Sequence, residues 1–305
     1  MWKPRALKSG DRVAVVAPAS PFDHDVFGKG VAELQRLGYD PVFDARIFER
    51  ERYLAGSAER RAESLTAAWT DSAVAGIFAV RGGYGSAQLL PLLDPADIRK
   101  GGKPFIGCSD LTALLVFLTH HCQTVGFHGP MLVNLAEGER GYDRRSLVGA
   151  VSTPEPVGEL SPDGVQALRP GEARGPLLGG TLTQLLASLS TPYAFAPPDG
   201  YVLLLDDVGE RPYRIDRMLT QFVQSGLLRR AAAIVCAEFP DCTDADGCDA
   251  RDVIADELAG FGGPILFGFP TGHTAGPLWT LPLGVEVTVQ AGATPRVVIE
   301  ESAVR

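Results

Sequence analysis

One alternation constrains this chain more than any other feature. "RVAVVAPAS" (12–20) is a near-continuous apolar run, the pattern of a strand buried on both faces. A helical pattern follows over "DVFGKGVAELQRLGY", closed by Gly38. Next come "DPVFDA", a helix from the cap-like Ser57 through "AERRAESLTAAWT", the strand "AGIFAVRGG", and then "KPFIGCS" and "QTVGFHGP". Strands separated by helices of this length pair in parallel, with the helices laid over both faces. The expected fold is α/β, with an N-terminal, mostly parallel, doubly wound sheet. Ligands of such sheets gather beyond the carboxyl ends of the strands. Three segments end there in turn chemistry: "APASP", "RGGYG" and "GCSD".

At 305 residues the chain exceeds the length at which single cores stop growing, so two domains are expected. The texture changes near residue 153, where "STPEPVGELSPDGVQALRPGEARGP" reads as a linker plus irregular strands. This sets an N-terminal α/β domain at 1–155, a linker at 156–175 and a C-terminal α/β domain at 176–305. The second unit alternates helices at "TLTQLLASLS", "YRIDRMLTQFVQSGLL" and "ARDVIADELAGF" with strands at "YVLLLDDVG", "AAIVCAEF" and "PILFGF". A β-rich tail, "GVEVTVQ" and "PRVVIEE", closes it.

Net charge is −9 and no basic run exceeds two residues, as at Arg229–Arg230. That argues against a nucleic-acid or anionic-membrane partner, since either needs a positive face. The N-terminus lacks the apolar core of a signal peptide, and no run approaches the ~18 apolar residues of a membrane span. Five scattered cysteines suit a reducing cytoplasm, the expected location. Cys236, Cys242 and Cys248 stand six apart, and the aspartates around them lack the EF-hand glutamate. The stretch reads as a solvated acidic loop, and neither metal nor cofactor is expected.

In "KPFIGCSDLTALLVFLTHH" (103–121), Gly107 leaves room for a sharp turn before a helix, and Ser109 stands at that turn. This is the arrangement of a nucleophile elbow, in which a strained turn exposes Oγ and the next N–H faces an oxyanion. Leu111 replaces the second glycine of G-x-S-x-G, and Ser-Asp-Leu-Thr is good capping chemistry, so the stretch alone favours an N-cap. A nucleophile needs a base and an orienting group. Of the five histidines, His120 and His121 lie at the far end of the same helix, at ~1.5 Å of rise per residue. His24 sits in a polar loop, and His128 follows a neighbouring strand. His273, in "FGFPTGHTAGP", lies in a loop of the kind that carries function. For the orienting carboxylate, "YVLLLDDVGERPY" offers Asp206, Asp207 and Glu210. Glu210 reads best as an acid at a helix start, and Asp206 is the hardest to explain by capping. "RGGYG" (81–85) lets backbone N–H groups approach a ligand but is a weak phosphate cradle.

"AVRGGYG", "GCSDLTAL", "HGPM", "LLLDDVGERPYRIDRMLTQ" and the glycine-bounded "TGH" before "LPLG" occur in this order over essentially the whole chain. Together they resemble the LD-carboxypeptidase family of serine peptidases. The resemblance implies a triad split across two domains, with Ser109 as nucleophile and His273 as base. The family's glutamate falls on Asp206, one methylene shorter, with Asp207 and Glu210 as fallbacks. It also implies an oxyanion hole from the N–H of Asp110 and a glycine of the "RGG" loop, taken as Gly83. The terminal carboxylate of a substrate then needs a cation, Arg81 first and Arg211 or Arg214 second, with Tyr84 among the substrate-binding positions. The implied reaction releases D-alanine from murein tetrapeptides without a metal; the implied partner is a small peptide or muropeptide, and the implied assembly a homodimer. A related branch, the microcin C immunity peptidases, applies the same triad to an aminoacyl-nucleotide and carries stacking aromatics. Trp2, Trp69 and Trp279 are not clustered here, which favours the murein branch. A non-enzymatic small-molecule binding protein would explain the glycine loops and leave the joint presence of Ser109, Asp206 and His273 to chance.

Overall fold

Five strands of the N-terminal half pair in one sheet: β1 (Arg12–Val16), β2 (Asp40–Val42), β3 (Gly76–Ala79), β4 (Phe105–Gly107) and β5 (Gly126–His128), all buried along most of their length except β2, which is the partly exposed edge strand. The computed structural model describes residues 1–305. Nine further strands follow: β6 (Gly158–Leu160), β7 (Gln166–Arg169), β8 (Gly171–Thr181), β9 (Tyr201–Asp206), β10 (Ala231–Ala237), β11 (Ile265–Phe269), β12 (Leu281–Leu283), β13 (Glu286–Ala291) and β14 (Arg296–Ile299).

The first sheet has the order β12-β5-β4-β3-β1-β2 and is parallel except at β12. The second has the order β6-β14-β13-β8-β9-β10-β11-β7. Its centre, β8 to β11, is parallel and its flanks antiparallel. Both are α/β layers, as the alternation requires. The helix His24–Arg36 starts on the Asp23 carboxylate, which accepts the N–H of Asp25 and Val26. The helix Ala58–Thr70 starts on Ser57, whose Oγ accepts from Arg60 N at 3.2 Å. These caps satisfy donors that the first turn leaves free. The helix Thr112–His120 is apolar on nearly every side and buried from Leu114 to Thr119. It packs between the sheets, against β5 on one side and β8 and the helix Leu182–Ser188 on the other.

Two expected boundaries are corrected. The stretch 156–175 is not a linker: β6 pairs with β14, β7 with β11, and the first residues of β8 with β13. Its Pro, Gly and polar residues resemble a linker because β6 and β7 are edge strands, where such residues are tolerated. Nor does everything beyond 176 stay in the second unit, because β12 leaves it to pair with β5. One continuous apolar core consequently runs from Val13 and Phe78 through Leu281 to Val287. A second packs the helices Pro212–Gln224 and Ala250–Glu257 on the outer face of the second sheet, with Leu203, Leu205 and Ile234. All five cysteines are free thiols, and no helix is long and apolar enough to cross a membrane.

Candidate active site

The turn after β4 explains why Ser109 is not a cap. Ser109 takes φ +64°, a left-handed conformation that a non-glycine residue adopts at a cost on the order of 1–2 kcal/mol. A short 3-10 turn, Ser109–Leu111, then leads into the helix, whose N-cap makes no side-chain hydrogen bond. The Leu111 side chain occupies the space into which a Cβ on Gly107 would project. The missing second glycine of the elbow pattern is thereby accounted for, since glycine is needed at 107 and its space is filled from 111.

His273 arrives on the loop between β11 and β12. Thr271 Oγ1 donates to Trp279 O at 2.9 Å and the Trp279 amide to Pro270 O at 2.7 Å, closing the loop on itself. The Ala275 amide donates to Glu238 Oε2 at 2.9 Å. His273 Nε2 lies 3.1 Å from Ser109 Oγ, and Nδ1 lies 2.9 Å from Asp206 Oδ2. The His273 backbone N–H also donates to Asp206 Oδ1 at 2.9 Å, and Thr181 Oγ1 donates to Oδ2 at 3.1 Å. Thr181 and Asp206 are register partners at the ends of parallel β8 and β9. With a carboxylate at Nδ1, the imidazole keeps its proton there and turns the Nε2 lone pair toward the hydroxyl. The shorter aspartate reaches because Gly272, at φ +68°, lets the loop backbone lie directly on the carboxylate.

The electrostatics agree with this arrangement. Burial by itself pushes the His273 imidazole down, but its hydrogen bond to Asp206 and the charges of Asp206 and Asp207 outweigh it, and its pKa is raised. Asp207 is buried yet turned away from the imidazole. Its Oδ2 accepts Thr183 N at 2.9 Å and Thr183 Oγ1 at 2.8 Å, at the start of the helix Leu182–Ser188. Burial raises its pKa against those bonds. Glu210 pairs with Arg214 at 3.4 Å. Neither fallback acid meets the histidine. His128 is fully buried beneath the loop, with Nδ1 3.1 Å from Thr271 Oγ1, and burial pushes its pKa down to about 4.

On the facing side, a Cβ added to Gly82 would lie 2.8 Å from Ser109 Cβ and 3.2 Å from Asp110 N. The glycine loop is thus pressed onto the serine through Gly82, a contact the sequence reading did not single out. Gly83, at φ +106°, packs against Ser20. The N–H groups of Gly83 and Asp110 donate to no acceptor in the protein. Of the three candidate cations, Arg211 is paired with Asp244 at 2.9 Å and Arg214 with Glu210, whereas Arg81 is exposed and meets only Pro21 O at 3.4 Å. Tyr84 is half-exposed, its ring 5.5 Å from that of Tyr53. Thr181, Glu238 and Tyr53 escaped the sequence reading, because each carries an ordinary residue type and is recruited only by the fold.

Comparison with known proteins places this geometry in context. Residues 13–129 match the LD-carboxypeptidase N-terminal domain and residues 174–289 the LD-carboxypeptidase C-terminal domain. The chain belongs to the LD-carboxypeptidase family. This family is one of peptidases, hydrolases of amide bonds. The chain is 38% identical over 293 residues to a putative carboxypeptidase of Streptomyces coelicolor, covering 95% of this chain and 93% of the relative. It is 33% identical over 272 residues to the murein tetrapeptide carboxypeptidase of Pseudomonas aeruginosa, covering 87% and 88%. The solved structure of MccF in complex with glutamyl sulfamoyl guanosine has the same fold, with a TM-score of 0.90 at 21% identity and full coverage of both chains.

Proposed function

We propose that this member of the LD-carboxypeptidase family is a serine peptidase that releases the terminal D-alanine from murein tetrapeptides. The observation that carries the proposal is the continuous contact from Ser109 Oγ through His273 to Asp206, at 3.1 and 2.9 Å. Ser109 Oγ attacks the carbonyl of the L-centre as His273 Nε2 takes its proton. The N–H groups of Asp110 and Gly83 receive the negative oxygen of the tetrahedral intermediate. Collapse breaks the C–N bond, and His273 returns the proton to the departing D-alanine amine. Water, deprotonated by the same nitrogen, then hydrolyses the acyl-serine. Arg81, the one of the three candidate cations that has no carboxylate partner, pairs with the substrate's terminal carboxylate. The Pseudomonas aeruginosa relative, named a murein tetrapeptide carboxypeptidase, supports this substrate class.

A cytoplasmic homodimer belongs to the same reading; the five free thiols suit a reducing compartment, and sedimentation tests the dimer. Incubation with muramyl tetrapeptide, followed by mass spectrometry, tests the function. Loss of one alanine is expected with the wild type and none with Ser109→Ala. The analogue ending in L-alanine should resist, because inverting the terminal centre drives its methyl or carboxylate into the pocket wall. Equal cleavage of both diastereomers overturns the specificity. Preferential cleavage of an acyl-sulfamoyl nucleotide of the kind bound by MccF moves the assignment to that substrate.

A further inference from the structure

The proposed reaction requires two backbone amides held where an oxyanion forms, and we propose that Arg61 is the positioning residue that holds them, acting through Gly85 and Asp110. The inference rests on the serine-peptidase reading above. Arg61 lies on the helix Ala58–Thr70 and is 3% exposed. Its guanidinium touches no carboxylate. Nη1 donates to Pro18 O at 2.7 Å and to Gly85 O at 2.8 Å, Nη2 to Gln88 Oε1 at 2.6 Å, and Nε to Gly56 O at 3.2 Å. Pro18 belongs to the loop after β1 and Gly85 to the glycine loop after β3. One buried cation therefore ties the loop after β1 to the glycine loop after β3.

Burying a guanidinium is unfavourable unless its charge is answered. The answering charge is Asp110, also 3% exposed, and it is reached through the backbone rather than directly. Asp110 Oδ1 accepts the Gly85 N–H at 3.3 Å and Oδ2 the Ser86 N–H at 2.9 Å, while Ser86 Oγ donates to Asp110 O at 2.6 Å. Gly85 thus gives its N–H to the anion and its carbonyl to the cation. Opposite charges at the two ends polarise the bonds between them and stiffen the run. Gly85 sits at φ +117°, and a Cβ there would lie 2.9 Å from Arg61 Nη1, so the strap admits only glycine at this position. The strap starts at Asp110, whose own amide follows Ser109, and ends at Gly85, two residues after Gly83, whose amide is the second proposed donor. A direct Arg–Asp pair would neutralise the same charges and leave the glycine loop free to move. The arrangement found makes the loop part of the ion pair.

A purely structural Arg61 would affect folding and leave each folded molecule fully active; a positioning Arg61 would affect catalysis in the folded enzyme. The test measures the rate at which a fluorophosphonate labels Ser109, whose phosphoryl oxygen needs the same two amides, together with kcat and KM on muramyl tetrapeptide and the melting temperature. Arg61→Gln and Arg61→Lys are each expected to lower labelling and kcat by about 10- to 100-fold per folded molecule, below the loss for deleting a donor outright, with KM within about threefold. Asp110→Asn, which keeps its backbone N–H, should lose a similar factor. Arg61→Lys/Asp110→Asn should be little worse than either single variant, because both act on one strap. Should Arg61→Gln not fold, Arg61→Lys and Asp110→Asn carry the test. Folded variants that label at the wild-type rate, or losses that multiply in the double variant, overturn the inference and leave the serine-peptidase reading intact. A wild type that is not labelled at Ser109 overturns both.

Discussion

Replacing Asp206 by asparagine changes one atom of the side chain and, on the geometry found here, most of the chemistry. The carboxylate accepts three donors: the His273 backbone N–H on Oδ1, and the His273 Nδ1–H and Thr181 hydroxyl on Oδ2. An amide has one oxygen to offer. If its NH₂ group faces the imidazole, Nδ1 must accept, the ring proton moves to Nε2, and no lone pair faces Ser109. If its NH₂ group faces the backbone instead, it meets the His273 N–H donor to donor in a fully buried site. Each unmet buried donor costs about 1–3 kcal/mol, so the catalytically useless orientation is favoured by roughly 2–6 kcal/mol. The imidazolium formed during attack also loses its counter-charge. Together these predict a fall in kcat of ~10³ to 10⁴ for Asp206→Asn, with the fold retained. The pH profile supplies a second sign. As the proposed base, His273 would act only when neutral, and its raised pKa would put the acid limb of kcat/KM above the ordinary imidazole value. Asp206→Asn removes both contributions of Asp206 and leaves burial opposed only by the Asp207 charge, so the limb should move to lower pH. Asp206→Glu restores the charge and the tautomer but pushes a methylene against Gly272, and should stay well above Asp206→Asn, with a loss of up to about 10²-fold. Alanine release measured from pH 5 to 9, beside thermal melting, decides it. An Asp206→Asn variant within tenfold of wild type, with an unmoved acid limb, would refute the assignment of the orienting carboxylate.

Three further outcomes follow from the same geometry. Ser109→Ala and His273→Ala should each lower kcat by several orders of magnitude and the double variant little further, since the residues act as a unit; losses that multiply would contradict the shared role. Gly272→Ala places a methyl on the Asp206 carboxylate at φ +68°, with a backbone cost of ~1–2 kcal/mol before any clash, so both melting temperature and kcat should drop; unchanged values for both would mean the loop does not rest on the carboxylate. His128, whose folded pKa is about 4, leaves the unfolded chain holding the extra proton between the ordinary histidine value and about 4. Stability is then full above pH ~6.5 and lost as pH falls, by ~1.4 kcal/mol per unit and about 3 kcal/mol in all; His128→Gln should flatten melting temperature against pH over that window, and an equal slope would exclude His128 as the cause.

The legible parts of this chain were those written in local pattern. Continuous apolar runs such as Val13–Val16 identify doubly buried strands without help from distant residues, and Gly107-Cys108-Ser109 announces a sharp turn. Residues 156–175 misled because an edge strand and a linker share a composition; the partner strand makes the difference, and partners are far away in sequence. The site divides in the same way. Ser109, Asp206 and His273 are visible through turn and strand-end chemistry together with a family resemblance, and they converge as a set. Nothing local marks Gly82 over Gly83 as the glycine pressed on the serine, or shows that Arg61, one of two adjacent arginines on a helix, is the buried one. Such facts depend on which way a helix face turns, and the packing of the whole molecule sets that.

The excursion of β12 has a consequence for how this architecture can be divided. The chain leaves the second sheet at β11, carries His273 past Ser109, adds one strand to the edge of the first sheet and returns at β13. Separating the two halves at a point near residue 155 would therefore leave β5 with an unpaired edge and β12 without its partner strand. Recombining halves from two relatives at that point is expected to fail unless the segment spanning residues 270 to 284 is exchanged together with the half that carries Ser109. The histidine loop is encoded with the second unit, rests there on Asp206, and meets Ser109 and His128 of the first, so the two can diversify only in step.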